Sequence, residues 1–87
     1  MRELNDKIFK TSDGYITASA VSDSEWRGMC KALEHPEWLD DPRFATQQLR
    51  NTNKDTRYEL MASALETDTS DKWLAALDRH DVPCAPV

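Results

Sequence analysis

The stretch Pro36-Glu37-Trp38-Leu39-Asp40-Asp41-Pro42-Arg43-Phe44 decides the fold of this chain, because proline sets two short helix starts in it and aromatic side chains anchor them. Asp41 is a favourable N-cap, and Pro42 then stands at the first helical position, where its missing N–H breaks no hydrogen bond. We expect Trp38 and Phe44 to insert into the core from this corner. The stretch contains no nucleophile and no metal-binding pattern, so it predicts a structural role.

A β-hairpin is predicted upstream of the corner. Residues 8–11 and 15–20 are β-prone, and Ser12-Asp13-Gly14 between them contains the Asp-Gly pair that is typical of hairpin turns. In the second run, hydroxyl-bearing residues at odd positions alternate with apolar residues at even positions. One face of the hairpin should therefore pack on helices, and the other should be wetter.

A first helix is predicted between the hairpin and the corner. Ser22-Asp23-Ser24-Glu25 has the form of a capping box, and helical periodicity continues after it. The apolar residues at helical spacing are Trp26, Met29, Cys30 and Leu33. The helix should end near Glu34, because the residue before Pro36 is disfavoured in the α region.

Further helices are predicted after the corner. A short one should run from Pro42 towards Leu49, the polar residues 50–53 should cap a longer one over residues 54–65, and a last one should begin near residue 70. The inward-facing residues of the two longer helices are Tyr58, Leu60, Met61, Ala64, Leu65, Trp73, Leu74 and Leu77. Prolines then force residues 81–87 to run extended. The fold class is α+β, an N-terminal β-hairpin packed on three to four helices and mostly α by residue count.

Length and composition limit the class of protein. With 87 residues, 39% hydrophobic and 31% charged, the chain is predicted to be one domain over residues 1–87. It contains no apolar run of the roughly 18 residues that cross a bilayer. The net charge of −5 repels phosphate backbones, so we expect no nucleic-acid partner. Residues 1–7 lack the apolar segment of a secretory signal, so we expect a cytoplasmic protein without membrane contact.

Cysteine and histidine spacing offers a zinc-binding alternative. Cys30-x4-His35 and His80-x3-Cys84 resemble a Cys2His2 set in spacing. Cys30, however, belongs to an apolar helix stripe, and free cysteine is ordinarily a buried hydrophobe. We therefore predict free thiols and no metal site, and a metal analysis decides against the alternative if it finds no stoichiometric zinc.

Three other groups of polar or aromatic side chains have a structural interpretation that we favour over a functional one. A solvated acidic edge is favoured over an acid–base or cation site for the carboxylates of Glu34, Glu37, Asp40 and Asp41. An ion-pair surface with Asp55 and Glu59 is favoured over a phosphate site for the basic residues Arg50, Lys54 and Arg57. A place in the core is favoured over an adenine stack for Trp26, Trp38 and Trp73. We predict no catalytic and no cofactor-binding residue.

A family resemblance emerges when the motifs are taken in order. They are Phe9-x-Thr11-x-Asp13-Gly14-Tyr15-Ile16, Trp26, Pro36-Glu37-x3-Asp41-Pro42-Arg43-Phe44-x-Thr46-x3-Arg50-x2-Asn53, Trp73-x3-Leu77 and Val82-Pro83-Cys84-Ala85-Pro86-Val87. In this order and spacing the chain resembles the class III CoA-transferases (CaiB/BaiF), which include formyl-CoA transferase and α-methylacyl-CoA racemase. The resemblance implies structural roles for Asp13, Gly14, Trp26, Pro36, Asp41, Pro42, Arg43, Phe44, Arg50, Asn53, Trp73, Pro83 and Pro86.

The resemblance implies the small domain of a longer protein. In the family, a large domain binds coenzyme A and carries the aspartate that attacks the acyl-CoA thioester, and neither has a counterpart in this chain. The resemblance thus implies an architectural role as a lid or interdomain wall, without activity or cofactor in this chain alone. The implied partners are the large domain or a second copy, most simply in a dimer. A free-standing adaptor that retains only the fold is the alternative.

Two positions depart from the family pattern, which usually has glycine where this chain has Glu34 and Asp81. Each follows a predicted helix, at a position where glycine accepts a positive φ freely. We expect Asp81 to tolerate the left-handed conformation. We expect Glu34 to be strained there and to reshape its turn.

Overall fold

A computed structural model of the protein describes residues 8–20 and 22–87, and it has the predicted α+β class. Its elements are strands β1 (Ile8–Lys10) and β2 (Tyr15–Ala18), helix α1 (Asp23–Ala32), two 3-10 helices (Pro36–Asp40 and Pro42–Phe44), helices α2 (Gln47–Thr52), α3 (Lys54–Leu65) and α4 (Ser70–Arg79), and strand β3 (Cys84–Pro86). Residues 1–7, on which the argument against a secretory signal rests, lie outside the described residues. None of the helices described is long and apolar enough to cross a bilayer.

The strands form one antiparallel sheet in the order β1-β2-β3. The predicted hairpin is confirmed, and Thr11 N donates to Gly14 O at 2.8 Å to close its turn. Neither Asp13 nor Gly14 has a positive φ, so the turn is a longer loop and not the tight left-handed kind. The sequence predicted only an extended end for the chain, whereas the structure pairs this segment with β2 as β3.

The two faces of the sheet differ as the alternation predicted. Phe9, Ile16 and Ala18 are buried against the helices. Successive side chains of a strand point to opposite faces, and directly paired residues share a face. The residues next to Phe9, Ile16 and Ala18 along the strands, and the partners of those residues, therefore lie on the side of the sheet away from the helices. We call that side the outer sheet face, and it consists of Ile8, Lys10, Tyr15, Thr17, Ala85 and Val87.

The capping box of α1 is present as predicted. Glu25 N donates to Ser22 Oγ at 3.2 Å, and Ser22 N donates to Glu25 Oε1 at 3.2 Å. The two bonds satisfy backbone donors that have no partner inside the helix. The four apolar residues predicted for the inward stripe of α1 and its C-cap are all buried.

The segment between the corner and α3 differs from the prediction. A single helix from Pro42 towards Leu49 was expected, followed by polar caps at residues 50–53. The structure instead ends the 3-10 helix at Phe44 and begins α2 at Gln47. The reason is Thr46, which is extended and whose Oγ1 accepts from Leu49 N at 3.1 Å, so it caps a new helix.

The corner inserts two aromatic residues into one core, as predicted. The ring of Trp26 stacks on Trp38 at 6.0 Å between centroids and meets Phe44 edge-on at 5.4 Å. The same cluster contains Trp73 and Leu77 of α4. Hairpin, corner and terminal helix therefore share one buried core, and the interpretation of the three tryptophans as core residues is confirmed.

A close approach between α1 and the end of α4 was not predicted. Gly28 is buried in α1, and a Cβ built on it would lie well inside 3.0 Å of His80 O and 2.9 Å from Val82 Cγ2. Real Cβ atoms essentially never come so close to other heavy atoms. The backbone of the α4 terminus thus packs directly on the backbone of α1, which only glycine allows.

Left-handed residues end both of these helices. Glu34 has φ 62° and Asp81 has φ 60°. In each case the residue after the left-handed one donates its N–H to a carbonyl five positions back, as in a Schellman motif. His35 N donates to Cys30 O at 2.9 Å, and Val82 N donates to Leu77 O at 2.9 Å. The expectation for Asp81 is confirmed. The expectation that Glu34 reshapes its turn is wrong, because the motif forms there with Glu34 in the glycine conformation.

We predict that Gly28→Ala destabilises the chain by about 2 kcal/mol or more, because the neighbour that must move is backbone, and overpacking outweighs the gain in helix propensity. Gly14→Ala is the matched control, since its Cβ would meet Ser70 Oγ at an ordinary 3.5 Å. Urea unfolding midpoints of the two variants measure the difference. Equal midpoints would show that the close approach is not a constraint.

We predict that Glu34→Gly and Asp81→Gly are each neutral or stabilising by up to about 1 kcal/mol. Glycine removes the strain of a positive φ. It also makes the unfolded chain more flexible, and the larger conformational entropy of the unfolded state offsets part of that gain. The measurement is the free energy of unfolding of each variant. A loss of more than about 1 kcal/mol would contradict the strain assigned to these two positions.

Candidate functional site

Most of the positions singled out by the family motif meet where the corner contacts α1, α2 and the start of α3. We call this group the corner cluster, and it consists of Trp26, Asp41, Pro42, Arg43, Phe44, Arg50 and Asn53. Asn53 Nδ2 donates to Arg43 O at 3.0 Å and to Leu49 O at 3.0 Å, so it joins α2 to the corner. The cluster is held by hydrogen bonds from side chains to backbone.

Asp41 works as an N-cap, as predicted. Its Oδ1 accepts from Arg43 N at 2.9 Å, and its carboxylate is also bound by the Arg43 guanidinium, with Nη2 to Oδ2 at 2.7 Å. The Arg43 side-chain hydrogen bonds hold the pKa of Asp41 below its usual value. A carboxylate kept ionised and occupied in this way fixes the turn and is poorly suited to act as a general acid or base.

Arg50 is the buried centre of the corner cluster, at 3% exposure. Its Nη1 donates to Phe44 O at 3.1 Å, and its Nη2 pairs with Asp23 Oδ1 at 2.5 Å. Asp23 lies in the first turn of α1, with 68% of its side chain exposed. The Arg50 guanidinium therefore links α2, the corner and α1 through one group.

Arg57 is a second buried arginine, at 5% exposure. Its Nη1 donates to Ala20 O at 3.1 Å, and its guanidinium carbon lies 5.7 Å from the Trp26 ring and 5.0 Å from the Tyr58 ring. Burial lowers the pKa of Arg57 from its usual value. Within residues 8–20 and 22–87, no carboxylate forms an ion pair with it.

These arginines correct the sequence interpretation. Arg50, Lys54 and Arg57 were expected on one face of a helix, in an ion-pair surface, but Arg50 lies on α2 and both arginines are buried. Arg57 donates to the Ala20 carbonyl, 37 positions away, and Arg50 pairs with Asp23, 27 positions away, and periodicity does not reveal such partners. One signal was present, because Arg57 precedes the buried Met61 and Leu65 at helical spacing.

A groove of about 490 Å³ lies beside the two arginines, between α2 and α3. It is lined by Gln47, Gln48, Arg50, Asn51, Arg57 and Tyr58. The lining is rich in hydrogen-bond donors, and among the described residues it includes no carboxylate, cysteine or histidine.

The remaining motif positions lie away from the corner cluster, apart from Pro36, which opens the first 3-10 helix. Asp13 Oδ1 accepts from Ser70 N at 2.9 Å, which ties the hairpin turn, including Gly14, to the start of α4 and holds the pKa of Asp13 below its usual value. Trp73 Nε1 donates to Leu65 O at 2.8 Å. Pro83 O accepts from Ser19 N at 3.1 Å, and Pro86 pairs with Ile16 in the sheet. These contacts support the elements on which they lie.

The residues considered for zinc are not gathered. Cys30 is fully buried, and burial raises the pKa of its thiol to about 12. His35 Nδ1 lies 2.7 Å from Glu37 Oε2, and its ring stacks on Trp38 at 4.4 Å. Across the part of the chain that the structure describes, no three His, Cys, Asp or Glu side chains are close enough to hold a metal ion.

Comparisons with known proteins point to one family. The model of CoA-transferase family III matches residues 3–87. Human succinyl-CoA:glutarate CoA-transferase is 32% identical over 81 residues, which are 93% of this chain and 18% of the human protein. Two crystal structures are similar to the chain, those of Rv3272 from M. tuberculosis and of a CAIB/BAIF family protein from Brucella suis.

Both crystal structures match with a TM-score of 0.85 and 28% identity. The match covers 93% of this chain and 23% of the mycobacterial chain, and 92% of this chain and 21% of the Brucella chain. The chain thus spans about a fifth of the length of the proteins it matches.

We predict that Arg50→Met costs about 1–3 kcal/mol, because the corner carbonyl of Phe44 loses its charged donor. Asp23→Asn is the matched control and should cost less than about 1 kcal/mol, since Asp23 is largely exposed. Chemical denaturation of both variants tests the pair. If Asp23→Asn is as destabilising as Arg50→Met, the ion pair and not the carbonyl contact secures the corner.

Proposed function

Because this chain belongs to CoA-transferase family III, we propose that it is the small domain of a longer family protein and forms a lid or interdomain wall for acyl-CoA chemistry in the rest of that protein. The observation that carries the proposal is the extent of the match. Nearly the whole chain corresponds to about a fifth of each solved relative, with the same fold. A domain-sized part of a larger enzyme is the simplest reason for that correspondence.

The chemistry of the described residues supports an architectural role. Acyl transfer through a covalent carboxylate intermediate needs a positioned nucleophile in a dry, preorganised site. Here Asp13 and Asp41 cap backbone groups, and the guanidiniums of Arg50 and Arg57 donate to carbonyls. The buried Cys30 thiol has a pKa near 12 and is protonated at neutral pH.

Coenzyme A and the catalytic carboxylate then belong to the rest of the longer protein. With a net charge of −5, the chain repels the phosphates of coenzyme A at long range. The donors that line the groove beside Arg50 and Arg57 are amides, a phenol and two guanidiniums, each of which gives one hydrogen bond to a carbonyl. We therefore assign this domain to covering and positioning, and the choice of acyl group to the other domain.

We predict that the 87-residue chain alone does not turn over acyl-CoA and binds coenzyme A more weakly than about 1 mM. Turnover of succinyl-CoA with a dicarboxylic acceptor and titration calorimetry with coenzyme A measure the two properties. The longer protein, assayed in parallel, is the positive control and should bind coenzyme A. Turnover by the isolated chain above background would overturn the architectural role.

A further inference from the structure

The outer sheet face carries three of the four large hydrophobic side chains that are exposed among the described residues. Among the described residues, the exposed large hydrophobic side chains are Ile8 at 37%, Tyr15 at 53%, Leu49 at 39% and Val87 at 74%. Leu49 lies on α2, and the other three lie on the outer sheet face. Val87 N donates to Tyr15 O at 3.4 Å, which continues the β3 register and places its side chain beside Tyr15.

Charge is depleted on this face. Charged residues make up 31% of the chain, yet Lys10 is the single charged residue among the six positions of the outer sheet face. Thr17 and Ala85, paired at its centre, add a small and nearly apolar floor. An apolar centre with few charges is the composition of a protein–protein interface core and not of an ordinary solvated sheet face.

The sheet also contains the first and the last of the described elements. β1 is the first described element and β3 ends one residue before the last, and both are edge strands because β2 lies between them. The relatives are about five times longer than the matched segment. Additional length that follows residue 87 would therefore begin beside β3, an edge strand of this sheet, and proteins normally cover such edges.

From this placement we propose that the outer sheet face is the surface on which the domain packs against the rest of the longer protein. The inference rests on the proposed function, since it requires a longer protein. It adds which face of the domain makes the contact, and it places the Tyr15 ring within that contact and Leu49 outside it. The competing occupant is a second copy of the chain, joined through the same face or through the edge of β1.

Hydroxyl-radical footprinting with mass spectrometry tests the proposal on the 87-residue chain and on the longer protein. The isolated chain is labelled at a concentration at which sedimentation shows a monomer. Oxidation of Tyr15 should be at least about fivefold slower in the longer protein, as a half-exposed ring becomes interface core. Leu49 is the internal control, and its oxidation rate should be the same in both.

A pair of variants provides an independent test, because Ile8 and Leu49 are almost equally exposed, at 37% and 39%. Ile8→Lys and Leu49→Lys should shift the unfolding of the isolated chain equally. In the longer protein, Ile8→Lys would bury a charge in the proposed interface and should therefore make the rate of proteolytic cleavage between the domains about ten times faster. Leu49→Lys should leave that rate unchanged.

The outcomes separate this inference from the proposed function. A Tyr15 ring as reactive in the longer protein as in the isolated chain overturns the inference alone. Protection of Tyr15 only as the concentration of the isolated chain rises assigns the face to a second copy, and this also overturns the inference. Acyl-CoA turnover by the isolated chain contradicts the proposed function, whatever the reactivity of Tyr15.

Discussion

The backbone contact between Gly28 and His80 is the constraint on which the rest of this fold depends. Since Gly28 has no Cβ, the end of α4 can lie directly on α1. The chain then turns through the left-handed Asp81, buries Val82 and pairs β3 with β2. Two residues before Gly28, Trp26 stacks on the corner. One helix thus connects the sheet end of the domain to the corner end.

The buried charged groups of the core donate hydrogen bonds to the backbone. The guanidiniums of Arg50 and Arg57 donate to carbonyls of the corner and of the segment after β2. Such bonds are strong because the donor is charged, and they replace secondary-structure bonds where the chain is irregular. The two buried guanidiniums thus tie irregular segments of the backbone together, which fits the wall or lid that we propose.

Local signals made much of the fold predictable. The capping box at Ser22, the N-cap at Asp41 and the alternation after Gly14 each act within a few residues, and each appears in the structure. The pairing of β3, the close approach at Gly28 and the burial of Arg50 depend on partners distant in sequence, which periodicity does not encode. Thr46 was missed for a different reason, since any short run of polar residues contains several possible caps.

Function was less predictable than fold, because residue chemistry alone offered no catalytic group and only the ordered motifs pointed to a family. Family membership rests on the match over residues 3–87, and the assignment of the chain as one domain of a longer protein rests on its coverage of the relatives. The most direct test of that assignment is the intact mass of the native protein that contains these residues. We predict a polypeptide about five times the length of the 87 residues, and a native polypeptide of 87 residues would contradict the assignment.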